Sequence, residues 1–115
     1  MPEIDRKIKL FNDIINSIIL IEQFLGGINL FEEYTVDTKT KSAIERQLGI
    51  IGEAVKRIKD IDPEELIRFH SDIIGFRNIL IHNYDGIDDA IVWAIIKDDL
   101  TALKAEIASR LDIEQ

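Results

Sequence analysis

Arg77, His82 and Tyr84 stand within eight positions of one another, in the order arginine, four residues, histidine, one residue, tyrosine. Each suits a phosphate ester in a different way. Arg77 is a permanent cation whose planar fork of donors matches phosphate oxygens. His82 is the side-chain type that gives and takes protons near neutral pH. Tyr84 adds a phenolic hydroxyl, which donates, accepts or carries a modification. On an ideal helix Arg77 and His82 point about 140° apart, whereas Arg77 and Tyr84 share one face and Asn78 and His82 another. Two arrangements would bring the arginine and the histidine onto one phosphate. The helix could fray near Asn83, ahead of Asp85 and Gly86, or a two-fold axis could set Arg77 of one copy beside His82 of the other. The spacing leaves both open. A salt-bridge arginine and a histidine that partners the helix dipole meet the same spacing with no catalysis at all.

Such a segment needs a scaffold, and the chain supplies helices. Over residues 4–25, Ile4, Ile8, Phe11, Ile15, Ile18 and Leu25 recur at helical spacing, with Leu10, Ile14, Ile21 and Phe24 widening the stripe. So broad a face predicts a helix covered on more than one side, ended by Gly26 and Gly27. Residues 28–38 are undecided, with Phe31 to Tyr34 able to form one helical turn. A second long helix is expected over 38–59, its stripe being Ile44, Leu48, Ile51, Val55 and Ile58. Gly49 and Gly52 in its interior suggest close approach of another helix. Arg46, Glu53 and Arg57 read as a solvated, ion-paired face. Asp62-Pro63-Glu64-Glu65 signals a third helix start, with Asp62 as N-cap, Pro63 at the first position and Glu65 closing a capping box. That helix carries the motif and stops at Asp85-Gly86. Asp88 then caps a fourth helix to about Leu111, with Val92, Ile96, Leu100, Leu103, Ile107 and Leu111 as its stripe. The expected fold is all-α, a single domain over 1–115, built as an antiparallel up-down four-helix bundle.

Composition narrows the function classes. The 115 residues include no cysteine, which removes disulfide scaffolds and thiolate metal sites and fits a reducing cytoplasm. No stretch has the apolar length of a membrane span or a signal core. The net charge of −8 opposes approach to nucleic acid, so RNA binding requires a local basic patch or one formed between two chains. No metal-ligand cluster and no Gly-rich phosphate loop is evident. His70 reads as a surface or capping residue and Trp93 as core. The pairs Asp88-Asp89 and Asp98-Asp99 read as a cap and a solvated face. The wide first-helix stripe and the two glycines of the second suggest a homodimer.

The stretch Arg77-Asn78-Ile79-Leu80-Ile81-His82-Asn83-Tyr84 resembles the Arg-X4-His-X-Tyr motif of HEPN-domain toxins of the HepT type. The resemblance extends to Ile44 through Ala54, which is similar to that family's second-helix signature, and to Val92-Trp93 and Asp99 through Lys104, similar to its last helix. It covers nearly the whole chain from Phe31 onward. Ser71-Asp72 departs from the Pro-Trp that many relatives carry there. The resemblance implies an all-helical dimer and a metal-independent endoribonuclease toxin with no cofactor. Its partner would be a minimal nucleotidyltransferase antitoxin, in a type VII-like pair. By the same resemblance Arg77 and His82 are the catalytic pair, Asn78 is the supporting polar residue, and Tyr84 is the acceptor of AMP. The alternative is a non-catalytic helical subunit that docks a nucleotidyltransferase and helps present its substrate.

Overall fold

The computed structural model describes residues 2–65 and 87–114, and every regular element among them is helical. The fold is all-α. α1 spans Glu3–Leu25, α2 Phe31–Thr35 and α3 Thr38–Ile61. After the undescribed stretch 66–86, α4 (Asp89–Ala94), a π-helical turn (Ile95–Asp99) and α5 (Leu100–Glu114) follow one another without a break. The body of the expected third helix, and with it Asp85 and Gly86, lies outside the described residues.

The boundaries follow from local chemistry. α1 ends where Gly26 takes φ +53°, a left-handed conformation costly for any side chain, while its N–H bonds the Glu22 carbonyl. α2 occupies the undecided stretch: Glu33 Oε1 accepts the Leu30 backbone N–H at 3.2 Å, half of a capping box. Asp37 caps α3 by accepting from Thr40 N at 3.0 Å and from its hydroxyl at 2.8 Å, bonds that hold the Asp37 carboxyl below its ordinary value. Asp88 caps α4, accepting from Ala90 N at 2.8 Å.

α1 and α3 run antiparallel, since Lys7 near the start of α1 reaches Asp62 just past the end of α3. α5 runs antiparallel to α1 as well, with Lys104 at its start bonded to Glu22 near the end of α1. α2 bridges α3 and α4. The core joins Leu10, Phe11, Ile14, Ile18 and Ile21 of α1 to Ile44, Leu48, Ile51, Val55 and Ile58 of α3. Val92, Ile96, Leu100, Leu103 and Ile107 close it from the last helix. The expected stripes of the second and fourth helices are therefore the observed ones. Gly52 is buried on α3 beside them.

The π turn explains the spacing of the last stripe. Four α-helical residues overshoot a full turn by about 40°, so successive steps of four drift off one face. Between Val92 and Leu100 there are two such steps. The Leu100 N–H bonds the Ile95 carbonyl, five residues back, and this wider turn returns Leu100 to the core.

Two expectations need correction. On α1 the buried line is Lys7, Leu10, Phe11, Ile14, Ser17, Ile18 and Ile21, whereas Ile4 is 51% exposed and Phe24 39%. A lysine and a serine occupy the inward face in place of isoleucine and phenylalanine. At the third-helix start, Asp62 Oδ1 does accept the Glu64 N–H at 3.1 Å. Glu65 closes no capping box: the Asp62 N–H it would need already bonds the Ile58 carbonyl, and its carboxylate bonds Lys7 and Arg110.

Candidate functional site

Arg77, Asn78, His82 and Tyr84, together with His70, lie outside the described residues. What is described is the frame on either side of the segment that carries them.

On the approach side, four charged groups interlock. Lys7 Nζ donates to Asp62 Oδ2 at 3.0 Å and lies 3.3 Å from Glu65 Oε1, and Arg110 Nε donates to Glu65 Oε2 at 3.1 Å. The Lys7 side chain is only 9% exposed. Burial alone pulls the Lys7 ammonium down in pKa, but the hydrogen bonds and charges of Asp62 and Glu65 outweigh it and leave the group above its ordinary value. In return, the Lys7 hydrogen bond holds Asp62 below the usual carboxylate range, with the Glu64 N–H adding to it. One carboxylate, Glu65, thus joins α1 to α5 at the residue before the motif-bearing segment begins.

On the exit side, Ile87 packs against the core and Asp88 caps α4. Asp89 does not belong to a cap and is not freely solvated: its Oδ2 lies 2.7 Å from Lys41 Nζ, tying α4 to α3. Beneath this pair lies Tyr34, fully buried, with a hydroxyl that has no hydrogen-bond partner among the described residues. Burial raises the Tyr34 phenol far above its ordinary pKa, and the charges of Glu45 and Asp89 raise it further. Glu45 is raised as well, first by burial and then by Asp89, with Lys41 acting in the opposite direction. Trp93 packs on the core as expected, its ring centroid 5.4 Å from Tyr34 and 6.2 Å from Phe31, with Lys97 Nζ 4.7 Å from the ring.

The expected ion-paired face of α3 is present, with Arg57 Nε donating to Glu53 Oε1 at 3.3 Å. On the other side of Arg57, with no signal in the sequence, the start of α1 and the end of α3 leave a cleft with Arg6 and Lys9 across from it. The three-residue spacing of Arg6 and Lys9 placed them on one face. Their approach to Arg57 needed the antiparallel pairing of two helices about fifty residues apart in sequence.

Among the described residues no group of three or more histidine, cysteine, aspartate or glutamate side chains is placed to hold a metal ion. No described helix is long and apolar enough to cross a membrane.

Residues 14–109 match the family described as Ribonuclease HepT-like. The chain is 39% identical over 99 residues to "Probable ribonuclease HepT" of Thermococcus cleftensis, covering 82% of this chain and 86% of that one. It is 35% identical over 104 residues to "Putative RNase MJ1380" of Methanocaldococcus jannaschii, with 89% and 94% covered. A second protein of that organism, "Putative RNase MJ0125", is 34% identical over 117 residues, spanning 100% of this chain and 99% of its own. No solved structure matches the chain. The family match takes in the whole arginine–histidine–tyrosine segment, with Asp62 and Glu65 before it and Asp88 and Asp89 after it, and the chain belongs to the HepT-like ribonuclease family.

Proposed function

We propose that this protein is a metal-independent endoribonuclease toxin in which Arg77 and His82 carry the reaction and Asn78 supports them. The observation that carries the reading is the family match over residues 14–109, because Arg77, His82 and Tyr84 stand inside it at the motif spacing. RNA brings its own nucleophile, the 2′-hydroxyl next to the scissile phosphate, so proximity is built into the substrate. His82 takes the 2′-hydroxyl proton as the 2′-oxygen attacks phosphorus. The bond to the 5′-oxygen breaks, and that oxygen leaves with a proton from the histidine of the other copy or from water. Arg77 holds the phosphate and stabilises the charge that builds on its oxygens. The products are a 2′,3′-cyclic phosphate and a 5′-hydroxyl.

The protein acts as a homodimer in the cytoplasm, neutralised by a nucleotidyltransferase antitoxin. Ile19, Leu20 and Phe24 on the outer face of α1 are open apolar residues that a second copy would cover. The partner transfers AMP to Tyr84: the phenol oxygen attacks the α-phosphorus of ATP and pyrophosphate leaves. The phosphodiester so formed pairs with Arg77 and repels RNA.

The test is cleavage of RNA by the purified protein in a chelator, with analysis of product ends. Cyclic phosphate ends are expected, with activity falling at least about 100-fold in Arg77→Ala and in His82→Ala. Wild-type rates in both variants sink the catalytic assignment. Intact mass after co-expression with the nucleotidyltransferase tests Tyr84, which is expected to gain AMP that Tyr84→Phe does not. The net charge of −8 favours a second reading, a non-catalytic subunit that docks the nucleotidyltransferase. Growth arrest on expression that His82→Ala abolishes decides for the ribonuclease.

A further inference from the structure

A chain of net charge −8 that cleaves RNA must hold the strand somewhere against its own field. Six of the 14 Lys and Arg residues, Arg6, Lys7, Lys9, Lys56, Arg57 and Lys59, lie in the first turns of α1 and the last turns of α3. The antiparallel pairing of the two helices collects them at one end of the molecule. Lys7 is buried there in its own ion pairs. Arg6, Lys9 and Arg57 open onto a cleft of about 430 Å³, lined also by Leu10, Asp60 and Ile61.

We propose that this cleft is a binding subsite for single-stranded RNA, taking one nucleotide outside the scissile bond, with its base on Leu10 and Ile61 and its phosphates on Arg6, Lys9 and Arg57. The proposal rests on the ribonuclease reading for the identity of its ligand. Its support is the chemistry of the lining. The floor is apolar, which suits a base face, and three cations stand on the rim against one carboxylate. Arg6 is exposed and makes no ion pair among the described residues. Among the described residues, Lys9 and Arg57 pair along their own helices, with Asp13 at 2.7 Å and Glu53 at 3.3 Å, and both side chains are about two-thirds exposed. Pairs so open to water hold their partners weakly, so a phosphate competes for both cations. The rim carboxylate, Asp60, lies 3.7 Å from Lys56, which offsets its charge. The structural position is also suitable: Ile61 is the last residue of α3, and the segment carrying Arg77 and His82 begins five residues later.

The test is binding of a fluorescent 12-nucleotide RNA with 2′-O-methyl riboses, which cannot be cleaved, measured by anisotropy across a salt series. The triple variant Arg6→Gln/Lys9→Gln/Arg57→Gln is expected to bind at least 10-fold more weakly at low salt. Its plot of log affinity against log salt should flatten by about 1.4, since two phosphates flank one nucleotide and each contact to a single strand contributes about 0.7. A charge-matched control, Lys39→Gln/Lys97→Gln/Lys104→Gln, removes the same charge from other parts of the surface and is expected to keep the wild-type slope. The proposal is overturned if wild type does not bind, if the cleft variant matches wild type, or if the control flattens the plot as much. Labelled polyglutamate bound as tightly as the RNA and lost in the same variant would assign the cleft to an acidic protein segment instead, and would overturn it too. The ribonuclease reading fails separately: wild type that binds the methylated strand but leaves its ribose counterpart uncut keeps the subsite and loses the enzyme.

Discussion

The two ends of the α1–α3 pair both bury polar groups, and they treat them in opposite ways. At the Lys7 end each described charge is answered: Lys7 has two carboxylates and Glu65 has two cations. At the Tyr34 end, among the described residues, a fully buried hydroxyl has no partner, and two carboxylates, Glu45 and Asp89, face one ammonium, Lys41. The first arrangement pins three elements together at the entrance to the motif segment. The second sits at its exit and carries an unanswered polar group. Buried polarity is costly unless it is matched, so the first end is expected to be sensitive to deletion and the second tolerant of it, or improved.

The largest effect is expected at Lys7. Lys7→Met keeps the stem's packing but leaves Asp62 and Glu65 with Arg110 as the one remaining cation among the described residues. Asp62 is one-third exposed, so the expected cost is about 2 kcal/mol, within the range for stranding a hydrogen-bonded partner, read as a lower urea midpoint at unchanged slope. A loss under about 0.5 kcal/mol, the range of an ordinary surface substitution, would break the comparison. At the other end, Tyr34→Phe removes the hydroxyl that has no partner among the described residues and keeps the ring against Trp93. The expected result is a gain of about 1 kcal/mol, the lower end of what an unsatisfied buried group costs. A comparable loss would mean that the hydroxyl has a partner in solution.

The same contrast marks what the sequence could reveal. Helical periodicity located α1, α3 and the last helix, because each buries a continuous apolar stripe that hydropathy registers. Gly26 and Asp88 were legible for a related reason: a left-handed stop and a helix cap are local, needing only the residue and its immediate neighbours. Lys7 was not legible as a buried residue, since its partners Asp62 and Glu65 lie over fifty positions away and only the fold brings them together. Glu65 looked like a capping residue for the same cause, a local motif overridden by two distant cations. Tyr34 was legible as part of one short helical turn but not as a buried residue, since the packing of α2 between α3 and α4 is what buries it. The arginine–histidine–tyrosine segment stood out through its resemblance to a family, and its spacing alone left a non-catalytic role open. The basic cleft was not legible, because it is assembled from two helix ends.

Glu45 offers the smallest effect and the sharpest separation, because pH distinguishes the two ends by sign. Its carboxyl is raised above its ordinary 4.5 in the folded protein, by burial first and by Asp89 second. Ionising it therefore costs the folded state more than the unfolded one. The stability tied to this group is fully present below pH 4.5 and is lost as the pH rises through the higher folded value. Asp62 behaves in the reverse sense: held below its ordinary 3.8 by Lys7, it contributes above that value and its contribution is lost as the pH falls. Glu45→Gln removes the charge that faces Asp89 and the Tyr34 phenol while keeping the side chain's shape. At pH 7 the variant is expected to be more stable than wild type by no more than about 1 kcal/mol, since the site is partly solvated. Below pH 4.5 the difference should vanish, because wild-type Glu45 is then neutral as well. The comparison is between variant and wild type at each pH, which cancels the falling contribution of Asp62. Urea unfolding of both proteins at pH 4, 5, 6 and 7 measures it. A variant that loses stability at pH 7, or a difference independent of pH, would show that Lys41 satisfies both carboxylates and that the exit side is as well matched as the entrance.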